Sequence, residues 1–547
     1  MSSQPSAKPE PAQAALPRFD AVVIGAGFSG LYALYRLRDV LGLDVRVYEA
    51  GDGVGGTWYW NRYPGARCDS ESYYYSYSFS EELEQEWEWT SKYPEQPEIL
   101  RYLEHVAERF DLRRDIRLGT RVSSASFDEA SGDWEVRTDG GARVRARFLV
   151  SAVGCLSAAN VPEIDGLDRF GGDWYHTGRW PHDGVDFAGK RVGLVGTGST
   201  GIQAAPVIAA QADRLTVFQR TPNFTVPARD APLAPEAWAE IKSNYREIRH
   251  RTRATRSGFP YIPVERSALD VSDRERQAIY EQLWEDGGFK FLWGSFSDLL
   301  NNQQANNTAA EFIRGKIREI VRDPEVAERL LPTTHPYGTK RPPIDTDYYE
   351  TFNRENVELV DIRRSPIVEV TPGGIRTGDA EYPLDVIVFA TGFDAMTGSL
   401  LRIDIRGPRG RSLAEKWAEG PKTYLGLQVA GFPNLFTITG PGSPSVLTNM
   451  PVSIEQHVEW ISDCIEHVRR AGLTRIEALP EAEERWVRHV NRAASQTLLM
   501  QAESWYLGAN IPGKTRVFMP YVGGLSDYRK ICDKVSSDGY EGFELSA

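Results

Sequence analysis

Two glycine triplets, each followed at the same distance by one charged side chain, carry the plainest chemical meaning in this sequence. Gly25, Gly27 and Gly30 form GxGxxG, and Glu49 stands nineteen residues beyond Gly30. Gly196, Gly198 and Gly201 repeat the pattern, and nineteen residues beyond Gly201 comes Arg220, followed by Thr221. Between a strand and a helix, such glycines allow a tight turn and bring backbone N–H groups against a pyrophosphate. A carboxylate at Glu49 accepts hydrogen bonds from ribose hydroxyls. A guanidinium at Arg220 binds a 2′-phosphate, which an acid there would repel. The first site is therefore expected to take a nucleotide with free ribose hydroxyls, and the second NADPH.

Such residues need elements to position them. Val22, Val23 and Ile24 read as a short buried strand, and Leu31, Leu34, Leu37 and Leu41 recur at helical spacing. Val45 and Val47 start a second strand that ends at Glu49. The stretch Arg191–Arg220 repeats this order, with Pro206 inside its helix expected to bend it. FLVSAVG (148–154) and VIVFATGFD (386–394) read as strands where the chain crosses between the two folds. One triplet alone is a weak sign, but two in full context that differ at the nucleotide-selecting position are a strong one. FAD in the first fold and NADPH in the second is the simplest assignment, because GVGGTWYWNRYPGARCD (53–69) supplies aromatics that suit a flavin ring.

The predicted fold class is α/β, with two Rossmann-like dinucleotide-binding domains, for FAD and NADPH, and a helical insertion. A tail at 1–17 is expected to be disordered. The FAD-binding domain spans 18–155 and resumes at 391–547, and the NADPH-binding domain spans 156–232 and resumes at 333–390. The insertion at 233–332 is charged and amphipathic, contains Asp323-Pro324 as a helix start, and is expected to cover the cleft between domains. Its alternative is a solvated helical decoration. The irregular, apolar loop TGPGSPSVLTNMP (439–451) suits the lining of a pocket.

Length and charge narrow the function classes. A chain of 547 residues allows several domains, and a net charge of -13 argues against nucleic acid or anionic membrane as a partner. Cys68, Cys155, Cys464 and Cys532 lie far apart without a CxxC pair, which argues against a disulfide framework and fits a reducing compartment. No histidine spacing suggests a metal, and none is expected. With no signal segment and no apolar run of bilayer length, the expected location is cytoplasmic, with no membrane and no obligate protein partner.

A protein with two dinucleotide sites can be a disulfide reductase, a quinone reductase or an oxygen-activating monooxygenase. The first needs a cysteine pair against the flavin, and Cys68 has no cysteine near it. Two longer motifs bear on the choice. FGGDWYHTGRWP (170–181) matches FxGxxxHxxxW[P/D] through Phe170, Gly172, His176, Trp180 and Pro181. GGxWxxxxYPGxxxD is filled by Gly55, Gly56, Trp58, Tyr63, Pro64, Gly65 and Asp69. With these motifs the sequence resembles the single-component Baeyer–Villiger monooxygenases that use FAD and NADPH, in the phenylacetone, steroid and cyclohexanone group, over nearly all of the chain beyond residue 18.

That resemblance implies an activity and a set of residues. NADPH reduces FAD, dioxygen forms a flavin C4a-peroxide, and one oxygen atom is inserted beside the carbonyl of a small ketone to give an ester or lactone. Arg341 matches the family's fixed cation, and Asp69 the acid that orients it. A surface ion pair of Arg341 with Asp345 or Asp347 is the plainer alternative. FAD contacts fall at Gly25, Gly27, Ser29, Gly30, Glu49, Thr57, Trp58, Asp69, Tyr75, Val122 and Met450. NADP contacts fall at Arg67, Gly196, Thr197, Gly198, Ser199, Thr200, Gly201, Ile202, Arg220, Thr221, Lys340 and Trp505. Tyr59, Trp60, Cys68 and Arg341 complete the cofactor-binding candidates, although Cys68 alone reads as packing. Ser445 and Val446 are candidates for setting ketone size. His176 is expected to anchor a hinge between domains rather than act as acid or base. Flavin monooxygenases of nitrogen or sulfur are the nearest alternative, and a noncatalytic nucleotide-binding sensor is a third.

Overall fold

The computed structural model describes residues 16–547, so most of the segment expected to form a tail, residues 1–15, lies outside the described residues. Two sheets organise the chain, a mixed one in which Asp133–Thr138 runs antiparallel to both its neighbours and a wholly parallel one. The first has eight strands, in the order Asp404–Arg406, Val122–Asp128, Asp133–Thr138, Arg143–Ser151, Arg18–Ile24, Val45–Tyr48 and Ile116–Arg117, with Leu435–Thr437 also pairing Arg143–Ser151. The second has five, in the order Val357–Asp361, Arg214–Gln219, Arg191–Val195, Val386–Phe389 and Asp173–His176. All four pairings of the second sheet are parallel. Parallel strands covered on both faces are apolar throughout, and Val22, Val23, Val192 and Leu194 have no exposed surface.

The elements predicted around both glycine triplets are present. After the first, Phe28–Leu34 is α-helical, but the helix continues from Tyr35 to Val40 as a π-helical turn. Leu31, Leu34 and Leu37 are buried, while Leu41 is only partly so, because the wider turn rotates it off the buried face. The helix Ser199–Gln211 of the second fold runs unbroken through Pro206. Residues 233–332 hold five helices, Pro235–Ala254, Asp273–Asp286, Lys290–Trp293, Gln303–Ile320 and Pro324–Leu330. The last begins as its sequence predicts, with Asp323 Oδ1 accepting from the N–H groups of Glu325 and Val326 and Pro324 in the first turn.

The segment 170–181 differs from the linker expected of it. Asp173–His176 is the edge strand of the second sheet, paired with Val386–Phe389. His176 is buried, and its Nδ1 accepts from the Gly178 N–H at 3.0 Å. Burial, reinforced by Arg179, lowers its pKa to about 4, so the ring is neutral. Trp180 is buried against Tyr175 and Phe187, whereas Trp174 is 40 % exposed. Among the described residues no helix is long and apolar enough to cross a membrane. The four cysteines are free and buried.

Candidate active site

The two glycine turns are built alike. Gly25 has φ +107° and Gly196 φ +114°, and a Cβ at either would lie 2.5 Å from a carbonyl oxygen of the crossing strand, that of Ala152 or of Ala390. A Cβ at Gly30 or Gly201 would overlap the carbonyl of Gly25 or Gly196. These glycines are required by the protein itself. Gly198 is not: its φ is −83°, and nothing lies within 4 Å of where its Cβ would stand. It leaves open the approach to a helix whose first turn has no side-chain cap. That opening is what a pyrophosphate needs, so the second cradle fits a dinucleotide. The first cradle is narrower, because Gly27 faces Gly56, 3.3 Å from the position of a Cβ to the Gly56 Cα.

The charged residues past each cradle are placed as their types suggest. Glu49 is buried, and its two oxygens accept from the N–H groups of Ala26 and Gly51, each at 2.7 Å. Burial raises its pKa against the pull of these bonds. It thereby ties the glycine turn to the second strand, and each oxygen keeps a lone pair for a ribose hydroxyl. In the second fold Arg220 is exposed and Lys340 half-buried. Burial first, and then Arg220, hold Lys340 below the ordinary lysine range. Two cations that disfavour one another in this way fit a phosphate between them.

The segment 55–69 joins the two folds. Gly55 and Gly56 close on the first cradle, as Gly56 against Gly27 shows. Tyr63 then donates its hydroxyl to Gln203 of the second fold's helix at 2.6 Å, and Gln203 Nε2 donates to the Arg67 carbonyl at 3.2 Å. Earlier in the segment, Trp58 Nε1 donates to the Tyr75 hydroxyl at 3.3 Å. The segment ends at Asp69, which accepts from Arg341 through both oxygens, Nε to Oδ2 at 2.9 Å and Nη2 to Oδ1 at 3.0 Å.

Arg341 is fixed on every side. Its Nη1 donates to the Val446 carbonyl at 2.9 Å, and its guanidinium lies 4.7 Å from the centre of the Phe289 ring. Asp69 keeps its pKa above the ordinary arginine value despite burial, so the cation is permanent. It stands in the wall of a cavity of about 360 Å³ lined by Phe289, Leu292 and Trp293 of the insertion, by Val446 and Leu447, and by Leu499 and Tyr506. Burial pushes the Tyr506 hydroxyl up to about 12. A fixed cation in an apolar, enclosed space stabilises negative charge that develops on an oxygen.

Several expectations need adjustment. Arg341 pairs with Asp69, not with Asp345 or Asp347; Asp345 is buried against Thr225 instead. The insertion does line the cavity, so it is more than decoration. Val446 lines it as well, but Ser445 is fully buried and turns its hydroxyl to the Thr439 carbonyl at 3.3 Å. Tyr59 locks the turn before it, lying across Gly51 and Gly53 and accepting from the Asp52 N–H, with Trp60 edge-on beside it. Arg67 is held by Glu95 and Asp230, and Ile202 is buried in the core of the second fold. Cys68 is buried, which raises its thiol pKa. Ser29 and Thr57 sit in the first turns of the helices Phe28–Leu34 and Thr57–Trp60, Val122 starts a strand, and Met450 starts the helix Met450–Arg470. Thr197 fastens the second turn through its hydroxyl to the Thr221 carbonyl, beside Ser199 and Thr200 in the helix that follows. Trp505 is half-buried against Tyr506. Phe289 and Tyr506 carry no signal in sequence beyond their neighbours, and only the fold brings them to Arg341.

Comparison with known proteins agrees with this geometry. The profile of the pyridine nucleotide-disulphide oxidoreductases matches residues 19–259. A Baeyer-Villiger monooxygenase of Pseudooceanicola batsensis is 46% identical, over 95% of each chain. The structure of an oxidized steroid monooxygenase bound to NADP is 56% identical and superimposes with a TM-score of 0.93, over 97% of this chain and 99% of the other. A crystal structure of OTEMO in complex with FAD and NADP is 46% identical with a TM-score of 0.94, over 97% of this chain and 100% of the other.

Proposed function

The chain belongs to the FAD- and NADPH-dependent Baeyer–Villiger monooxygenases, and from that premise we propose that Arg341, held by Asp69, is the cation on which its oxygen insertion depends. The enzyme is an NADPH-dependent FAD monooxygenase that inserts one atom of dioxygen beside a ketone carbonyl, giving an ester or lactone. Bound FAD supplies the ring that NADPH reduces and that activates dioxygen. Gly25, Gly27, Ser29, Gly30 and Glu49 hold its dinucleotide, with Thr57, Trp58, Tyr75, Val122 and Met450 along the rest. The Gly196–Ile202 turn, Thr221 and the pair Arg220 and Lys340 hold NADPH, the two cations on its 2′-phosphate. Tyr59, Trp60, Arg67 and Cys68 support these sites from the turns they pack, and Trp505, packed on the cavity residue Tyr506, contacts NADPH.

The observation that carries this reading is the bidentate Asp69–Arg341 pair in the cavity wall. The planar fork holds the guanidinium in one orientation, and an arginine donates hydrogen bonds without giving up its proton. An anionic oxygen attacking the ketone is therefore stabilised without being protonated. Phe289, Leu292 and Trp293 exclude water, which strengthens the charge interaction and keeps the activated oxygen for the ketone.

Residues 18–155 and 391–547 form the FAD-binding unit in this reading, and 156–232 and 333–390 the NADPH-binding unit, with 233–332 inserted. The strands Asp404–Arg406 and Leu435–Thr437 in the first sheet support the return. Ketone and dioxygen are the partners required, with no obligate protein partner, and the four buried thiols suit the cytoplasm.

The test is turnover with NADPH, dioxygen labelled with oxygen-18 and a panel of cyclic and aryl ketones, with products read by mass spectrometry. One labelled oxygen in an ester or lactone is expected. NADPH consumption that yields labelled amine or sulfide oxides and no ester from any ketone would overturn the assignment.

A further inference from the structure

The cavity beside Arg341 has two charged side chains in its wall, and both are arginines. Arg341 is paired with Asp69. The other, Arg256, has its Nη2 bound to the Val522 carbonyl at 2.8 Å, and no ion pair is formed by it among the described residues. The acid of the adjoining helix, Asp527, is paired with Lys530. Arg256 is exposed where Arg341 is half-buried, so it stands at the rim and Arg341 within.

Arg256 is held in place rather than free in solvent. It follows the helix Pro235–Ala254, and its carbonyl accepts from the Leu525 N–H at 2.7 Å. Its stem lies on Gly524, where any Cβ would overlap the Arg256 Cγ. One turn thus holds the residue at three levels, the backbone by Leu525, the stem on Gly524 and the guanidinium by Val522, which limits the rotamer entropy lost on binding. Tyr521 lines the same corner, with its hydroxyl 3.0 Å from His489 Nε2. Elsewhere the wall is mainly apolar, and the whole protein carries a net charge of -13, which disfavours anions unless a local cation receives them.

We infer that this enzyme takes ketones bearing a carboxylate remote from the reacting carbonyl, and that Arg256 selects them. The inference rests on the oxygenation reading above: the carbonyl lies toward Arg341, the body of the ketone along the apolar wall, and the carboxylate against the rim guanidinium. Arg256 is a specificity residue and touches no reacting atom.

The test uses the holoenzyme, its R256Q and R256E variants, and two ligands, a cyclic ketone with a carboxymethyl side chain and the methyl ester of that ketone. The ratio of kcat/KM for acid over ester is expected to fall about fivefold in R256Q and further in R256E, and to fall with added salt in the parent enzyme. Binding of both ligands to the oxidised holoenzyme, followed by its absorbance without turnover, is expected to give the same ordering. Equal ratios in the three proteins, in turnover and in binding, would overturn the inference and leave Arg256 as a cover for Gly524. Oxygenated product is scored separately. If the binding ratios shift as expected but neither ketone is oxygenated, the selection by Arg256 stands and the oxygenation reading fails.

Discussion

At the scale of single residues, the chemistry depends on a fork rather than on a charge alone. Lysine at position 341 keeps the cation but cannot reach both Asp69 oxygens and the Val446 carbonyl at once. R341K is therefore expected to lose ester formation by about 10²-fold. NADPH oxidation persists and ends in hydrogen peroxide, which a peroxide assay beside product analysis would show; ester formation close to that of the parent would refute the role. Lys340 gives a pH signature. It begins below the ordinary lysine value of 10.5, so rising pH removes its charge earlier than it would from an exposed lysine. Loss of a cation weakens phosphate binding, so KM for NADPH is expected to rise with pH, and to begin rising below the range in which an exposed lysine titrates. In K340Q that rise should flatten at a uniformly higher KM, and an unchanged pH profile would put the 2′-phosphate elsewhere.

At the scale of elements, the two strand–turn–helix units show which glycines serve the fold and which serve a ligand. G201A drives a Cβ into the Gly196 carbonyl and is expected to destabilise the second fold, lowering its melting temperature. G198A meets nothing within 4 Å, so its melting temperature should match the parent while KM for NADPH rises about tenfold or more. Equal effects of the two on stability would remove the distinction. Both triplets, Glu49 and Arg220 were legible in the sequence because the chemistry of a dinucleotide turn is local. The edge strand Asp173–His176 was not, since it pairs with Val386–Phe389, more than two hundred residues away. The clasp of Tyr63 on Gln203 and the Phe289 ring under Arg341 were hidden for the same reason. The motif around Asp69 could be quoted, but its work in joining two folds is a property of the tertiary structure.

At the scale of the molecule, the insertion must stay docked for the cavity to stay dry. Its first helix, Pro235–Ala254, is fastened to the first fold by Arg249, which is buried with Glu84. Arg249 Nε donates to Glu84 at 2.6 Å, and its Nη2 to the Ser76 hydroxyl at 2.8 Å and the Tyr77 carbonyl at 3.0 Å. The helix then runs into Thr255, Phe259 and Tyr261, which line the cavity, and Tyr261 donates to buried Glu71, close in sequence to Asp69. R249M leaves the Glu84 carboxyl buried without its cation, a loss on the order of 3–5 kcal/mol. Burial already raises the Glu84 pKa, against the pull of Arg249, and removing the arginine raises it further. An acid with a raised folded pKa binds its proton more tightly folded than unfolded, so stability falls as pH rises from the unfolded value through the folded one. The melting temperature of R249M is thus expected to lie closer to the parent at pH 5 than at pH 8. In the double variant R249M/E84M much of the loss should be recovered, because no lone charge is left inside. The same loosening admits water beside Arg341, so R249M is also expected to divert more NADPH to hydrogen peroxide at a given ketone concentration. A destabilised variant whose ratio of ester to peroxide equals that of the parent would mean that the cavity is sealed without this dock.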